Sequence, residues 1–444
     1  MASISQRIES LPMTKMTWTI LLVIGVGWMF DAMDQGMVSG VIASIGTDWD
    51  LTAYEKGWLT SSGIIGMIIG AALSGNIADR WGRRKVIVVT LLIYSAGSAL
   101  SGLSTEYWML IVFRFVTGFG LGGELPIASA MVTEMSPARY RGRNVVLLES
   151  FWAWGWIAAQ LVAYLFIPVF GWRAAFFVGA VPALFAAVLR QAVPESPRYL
   201  EITGRHEEAN EIVSRMERQA GVASKDDGPE EDKTVKVGWA ESLKKLWSRR
   251  NLRSTVVLWV IWFGINFGYY GFVLWTPSLL MEEGFSMVRS FEFVLIMCFA
   301  QLPGYFSAAY LVEKVGRKPT MIVYFMGTAL ASWLFGHASS EMEILATGCL
   351  LYFFALGAWG CVYSYTPEVY PTDIRASGSG WASAFGRVGA LIAQIVVPAV
   401  YSMYTGDERF TMVFIVLTVC FVAVALTVAA IGRETKGAEL EDVS

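Results

Sequence analysis

Long apolar runs broken by short polar loops set the pattern of this chain. Twelve such runs can be read, at about 17–45, 57–78, 86–104, 107–131, 145–168, 173–193, 254–281, 290–312, 319–336, 343–366, 377–403 and 411–431. About 20 apolar residues in a helix span the ~30 Å hydrocarbon layer of a bilayer. The pattern therefore predicts twelve transmembrane helices. The first run is too long for a signal peptide, and eleven more follow it. Residues 1–16 read as a short polar tail.

The loops repeat. Asp79-Arg-Trp-Gly-Arg-Arg84 between the second and third runs recurs as Glu313-Lys-Val-Gly-Arg-Lys318. Glu134-Met-Ser-Pro137 with Arg141 recurs as Glu368-Val-Tyr-Pro371 with Arg375, at the same offset along the chain. A constant offset at two separate loops identifies a duplicated unit. The predicted organisation is an all-α integral membrane protein of two six-helix bundles, 1–193 and 254–444, joined by a linker over 194–253. In the linker, Leu200, Ala209, Ile212, Val213 and Met216 recur at helical spacing and predict a short amphipathic helix. Trp239, Leu243, Leu246 and Trp247 allow a second, lying on the inner membrane surface, or else a solvated linker.

Composition supports this class. The chain is 55% apolar and 16% charged, against roughly a quarter charged in soluble domains. The net charge of −3 is uninformative, but its distribution is not. Loops on the side of both termini carry Arg80, Arg83, Arg84, Lys85, Arg139, Arg141, Arg143, Lys314, Arg317, Lys318 and Arg375, whereas the other side carries Lys56, Arg173, Arg289 and Arg409. Lys and Arg mark the cytoplasmic face, so both termini are expected inside. The four cysteines all fall within apolar runs, and there is no C-x-x-C and no histidine cluster. No metal site, cofactor or nucleophile–base pair is expected.

Charges inside hydrocarbon are costly and mark function. Asp31, Asp34, Arg114, Glu124, Glu149 and Arg387 lie within predicted spans. Asp31 and Asp34 sit ~20–25 Å along the first helix and share a face at i, i+3 spacing. Close buried carboxylates resist joint ionisation, so one is a candidate proton carrier, with Glu124 next in line; the alternative is a permanent salt bridge with Arg114. Arg387 lies ~15 Å into the eleventh helix and offers a planar fork to a carboxylate; its alternative is a pair with an acid on a neighbouring helix. Trp28, Tyr269, Tyr270, Trp359 and Tyr363 are the aromatics expected to sandwich a flat ring. At the inner ends of the spans, Asp79, Arg83, Arg84, Glu134, Arg141, Glu149, Glu313, Arg317, Glu368 and Arg375 form an expected gate of salt bridges, or ordinary interfacial pairing.

Gly75-x-x-x-Asp79-Arg-x-Gly82-Arg83-Arg84 and Arg114-x-x-x-Gly118-x-Gly120-x-Gly122-Gly123-x-x-Pro126 resemble the loop and fourth-helix signatures of the major facilitator superfamily. Pro194-Glu-Ser-Pro-Arg198, Pro137-x-x-x-Arg141-Gly142 and Glu434-Thr-Lys-Gly437 are similar to its sugar-porter and organic-ion branches. The seventh run lacks the Gln-Gln pair usual in sugar porters, and Arg433 stands where they usually carry Pro. Phe30-Asp31-Ala-Met-Asp34-Gln-Gly36 is similar to bacterial niacin transporters, and its Asp-x-x-Asp spacing to aromatic-acid/proton symporters. The resemblance implies a monomeric inner-membrane transporter that couples protons to a small organic anion, with nicotinate the leading expectation. Benzoate, lactate, a sugar or polyol, or an exported drug are the rival cargoes. A non-transporting receptor is the rival class.

Overall fold

The computed structural model describes residues 4–222, 244–370, 375–406 and 408–436, and among them it is helical with no strand. In the first half, α1 spans Ile4–Glu9, α2 Lys15–Asp48, α3 Ala53–Trp81, α4 Arg83–Gly102, α5 Tyr107–Glu134, α6 Arg141–Phe170, α7 Trp172–Ala180 and α8 Pro182–Ala192. Then come α9 Pro197–Ile202 and α10 His206–Ala220. The second half holds α11 Leu252–Val273, α12 Thr276–Glu282, α13 Met287–Lys314, α14 Arg317–Gly336, α15 Glu341–Val369, α16 Arg375–Met403 and α17 Glu408–Ile431. Among the described residues, twelve segments are long and apolar enough to cross a membrane.

Each predicted run is helical, with two of them interrupted. The sixth breaks at Val181, ahead of Pro182, and the seventh between Val273 and Thr276, ahead of Pro277. Proline lacks the N–H an inner helical turn needs and disfavours helix at the residue before it. Large apolar side chains such as Val169, Phe170 and Leu184 stand exposed on the helix surfaces, as a lipid-facing surface allows.

The N-terminal tail departs from expectation. Residues 4–9 form α1, and Ile4, Ile8 and Leu11 are buried in one core cluster with Val213 and Met216 of α10. Arg7 grips Glu217 with Nε and Nη2, both at 2.8 Å, and its Nη1 donates to Asn210 at 2.8 Å. The tail is thus tied to the linker, whose expected amphipathic helix is α10. Of the second linker helix, Trp239 and Leu243 lie outside the described residues; Leu246 is buried and its carbonyl accepts from Thr255 Oγ1 at 2.8 Å.

The described residues divide into two compact units. One draws on Met1–Met37, Ser62–Ala159 and Arg173–Thr234; the other on Val38–Ser61, Gln160–Trp172 and Val235–Ser444. The duplication is physical as well as textual. A Cβ on Gly70 of α3 would strike the Phe119 carbonyl of α5, and a Cβ on Gly304 of α13 the Phe353 carbonyl of α15. Gly155 of α6 abuts the Met29 carbonyl of α2, as Gly389 of α16 abuts the Phe263 carbonyl of α11. All four positions shift by the offset that relates the two basic loops. Small residues let membrane helices approach backbone to backbone, and the same approach recurs at the same places.

The tightest of these approaches carries a prediction. Gly118 of α5 lies directly against the Gly63 carbonyl of α3, and any Cβ there collides with backbone. Gly118→Ala should lose about 1–3 kcal/mol, the usual range for overpacking. A thermal melt of the purified protein in detergent reads this; a melting temperature equal to wild type contradicts the close approach.

Candidate functional site

The sequence-predicted residues resolve into three clusters. The first lies among α2, α4, α5 and α7. Asp34 Oδ2 accepts from Arg114 Nη1 at 2.9 Å, with side chains 1% and 5% exposed. The Ser98 hydroxyl sits 2.9 Å from Asp34 Oδ1 and 3.0 Å from the Phe176 carbonyl. The Arg114 guanidinium also lies over the Phe176 ring, 5.4 Å from its centroid. Of the two aspartates, Asp34 is therefore the salt-bridge partner of Arg114. One turn earlier, Asp31 is fully buried and faces Glu124 of α5 and Tyr94 of α4, both also fully buried. Residue 27 is glycine, and a Cβ there would come within 2.9 Å of Glu124 Oε1. Trp28 packs at 5.0 Å on Trp152.

The second cluster surrounds Arg387 of α16. Arg387 is half-buried as a residue, and its guanidinium lies beside Tyr270 of α11 and Tyr363 of α15. Trp359 stacks on Tyr363 at 5.5 Å and 28°. Trp262 meets both edge-on, at 5.7 and 5.6 Å, and Tyr269 meets Trp359 edge-on at 6.0 Å. The five predicted second-half residues Arg387, Tyr269, Tyr270, Trp359 and Tyr363 are thus neighbours.

Buried amides hold these rings, and the sequence reading overlooked them. Gln301 Oε1 accepts from the Tyr269 hydroxyl at 3.3 Å; Gln394 accepts from Trp275 Nε1 at 2.9 Å and donates to the Tyr270 carbonyl at 3.3 Å. Trp262 Nε1 donates to Thr366 at 3.0 Å. The signal was available: glutamine inside an apolar run is costly and needs partners.

The third cluster is the predicted gate. Arg83 pairs with Glu134 at 3.5 Å, and Arg317 grips Glu368 through Nε at 2.9 Å and Nη2 at 2.8 Å. Each pair lies inside one unit. Two acids outside the prediction complete it. Glu195 accepts from the backbone N–H groups of Arg83 at 2.9 Å and Arg84 at 3.2 Å; Glu434 accepts from those of Arg317 at 2.9 Å and Lys318 at 3.0 Å. These carboxylates cap the N-termini of α4 and α14, where the helix dipole favours negative charge. Gly82 and Gly316, at φ 97° and 124°, make the turns that admit them. Ser196 bonds Glu134, and Thr435 bonds Glu368.

Several expected members stand apart. Glu149 is buried about two turns into α6, and none of the described gate residues pairs with it. Glu313 is exposed and acts on Arg317 only through its charge. The Arg84 side chain takes no part beyond its backbone N–H among the described residues. The side chains of Asp79, Arg141 and Arg375 lie outside the described residues.

In the second unit, the ends of α2 and α3 away from the basic loops pack on second-half helices. Gly40 approaches Phe291, Gly57 abuts the Gln394 carbonyl, and Lys56 lies 3.8 Å from Glu282. A small cleft of about 110 Å³ there is lined by Lys56, Trp275, Ser278, Glu282, Pro398 and Tyr401, and holds none of the predicted site residues.

Comparison with known proteins follows the same lines. The family model for sugar (and other) transporters matches residues 17–444. The niacin transporter NiaP of Acinetobacter baylyi (strain ATCC 33305 / BD413 / ADP1) is 48% identical, over 98% of each chain. A Bacillus subtilis (strain 168) protein provisionally named a niacin/nicotinamide transporter is 44% identical, over 95% of this chain and 97% of its own. The xylose transporter XylE from E. coli, in an inward-open structure, matches with a TM-score of 0.74 over 96% of this chain and 99% of that one; at 20% identity it speaks for the fold alone. This chain is an integral multi-pass membrane transporter, and it belongs to the sugar (and other) transporter family of the major facilitator superfamily.

Proposed function

We propose that this protein takes up nicotinate across a bacterial inner membrane, driven by protons and by alternating access. Both termini lie in the cytoplasm, on the side of the basic loops, and the working unit is the monomer. The observation that carries the substrate is the cluster at Arg387: a guanidinium on a half-buried residue beside Tyr270 and Tyr363, the latter stacked on Trp359. A carboxylate suits the planar fork, and a flat ring suits the aromatic faces. Two relatives, 48% and 44% identical, are named for niacin. Trp28 and Asp31 are the first-half candidates for cargo contact, proposed within their own unit. Proton coupling draws on Asp31, Asp34, Glu124 and Arg114.

The repeat supports a functional rather than a structural reason for these charges. In the second half, the positions equivalent to Asp31, Asp34, Arg114 and Glu124 hold Ile265, Gly268, Gly348 and Ala358, and Arg387 answers to Ala153 in the first. Gate arginines, glutamates and contact glycines repeat; these charges do not. The gate pairs Arg83–Glu134 and Arg317–Glu368, with Asp79, Arg84, Arg141, Glu149, Glu313 and Arg375 as further candidates, are proposed to bias the open and closed states rather than to touch cargo.

Purified protein in liposomes should accumulate labelled nicotinate when the outside is made acidic, and should not accumulate glucose. Benzoate and lactate in the same assay test the ring and the acid separately. Glucose accumulation refutes the proposal, and saturable nicotinate binding without uptake favours a receptor instead.

A further inference from the structure

Asp31 and Asp34 sit one helical turn apart, yet their surroundings differ in kind. Asp34 has a guanidinium and a hydroxyl within 2.9 Å. Asp31 and Glu124 have neither: among the described residues, no N–H group reaches any of their four carboxyl oxygens. What faces Asp31 is the Glu124 carboxyl and the Tyr94 phenol, all three fully buried. The titratable and charged groups acting on it are thus Glu124 from α5, Tyr94 from α4 and Asp34 from its own helix, with Arg114 behind Asp34 and already engaged by it.

Chemistry decides what such a cluster can be. Two ionised carboxylates are acceptors only and cannot bond to each other. A single phenol cannot satisfy both. Ionised together in this buried place, they would be uncompensated charge. One proton removes the conflict, because a protonated carboxyl donates to its neighbour. The fold does not require this arrangement, since the repeat positions Ile265, Ala358 and Thr328 build the second half without carboxyls.

We infer that Asp31 and Glu124 together hold the transported proton, sharing it between their carboxyls, while Asp34 stays in its pair with Arg114. The Tyr94 phenol, fully buried, walls the pair on the α4 side. The inference rests on the proton-coupled reading above and assigns the proton to two residues acting as one site.

Two measurements test it on the full-length protein. Infrared difference spectra taken during a pH titration follow the carbonyl stretch of protonated carboxyls. Wild type should show a titrating band that is absent from the Asp31→Asn/Glu124→Gln variant; a band of undiminished strength in that variant overturns the inference. In liposomes with an inward proton gradient, Asp31→Asn and Glu124→Gln should each reduce the nicotinate accumulation ratio to one, with tryptophan emission and melting curves confirming the fold. Accumulation at the wild-type ratio in either single variant shows that the proton is not shared and overturns it. Failure of the wild type to accumulate nicotinate refutes the substrate instead, and the infrared result then judges the proton site alone.

Discussion

Arg387→Ala is expected to abolish nicotinate binding in a protein that still folds. A carboxylate entering a low-dielectric site needs a charge partner, because an unpaired buried ion costs several kcal/mol. Of the two arginines well inside spans, Arg114 is committed to Asp34 at 2.9 Å and is 5% exposed. Arg387 is half-buried beside Tyr270 and Tyr363, and Tyr363 stacks on Trp359. Arg387→Lys keeps the charge but loses the two-pronged geometry. It should weaken binding by roughly ten-fold or more, as expected when a charge-assisted hydrogen bond worth ~1.5–3 kcal/mol is lost. Nicotinamide keeps the ring without the charge and should bind wild type poorly, although the Bacillus relative's provisional name includes it. Calorimetric titration of both ligands on all three proteins measures this. Nicotinate affinity equal to wild type in Arg387→Ala would remove the guanidinium from the site, and equal affinity for nicotinamide would remove the need for charge.

The twelve spans were legible because hydrocarbon imposes length and apolarity on every crossing segment. The duplication was legible because Gly82, Arg83 and Glu134 recur as Gly316, Arg317 and Glu368 at one offset. What stayed hidden shares a physical cause: it depends on which residues of other helices a side chain meets. Asp31 and Asp34 lie on one face, but ~4.5 Å of rise and about 60° of rotation separate them. That suffices for one to find Arg114 and Ser98 and the other Glu124 and Tyr94. Glu195 and Glu434 are equivalent caps, yet they stand further apart than the other repeated pairs, so a search at one fixed offset passes over them. Their loops follow the sixth and twelfth runs, where the halves differ in length. Helix α1 was missed because six residues with one arginine, one glutamine and one glutamate read as polar. Its two buried isoleucines, Ile4 and Ile8, acquire meaning only against α10.

Asp34→Asn should be the most damaging single change to the first cluster, and its asymmetry with Arg114→Gln makes the test sharp. Removing Asp34 strands Arg114, which cannot shed its proton, in a buried site; breaking a buried pair in this way costs about 3–5 kcal/mol. Removing Arg114 strands a carboxylate instead, and a carboxylate can neutralise itself by taking up a proton. The expected order of melting temperatures at neutral pH is wild type, then Arg114→Gln, then Asp34→Asn. Melting curves of the three proteins in detergent at neutral pH read this order. An Asp34→Asn protein as stable as wild type would mean that the 2.9 Å pair carries no stabilising charge. An Arg114→Gln protein less stable than Asp34→Asn would contradict the asymmetry between the two stranded charges.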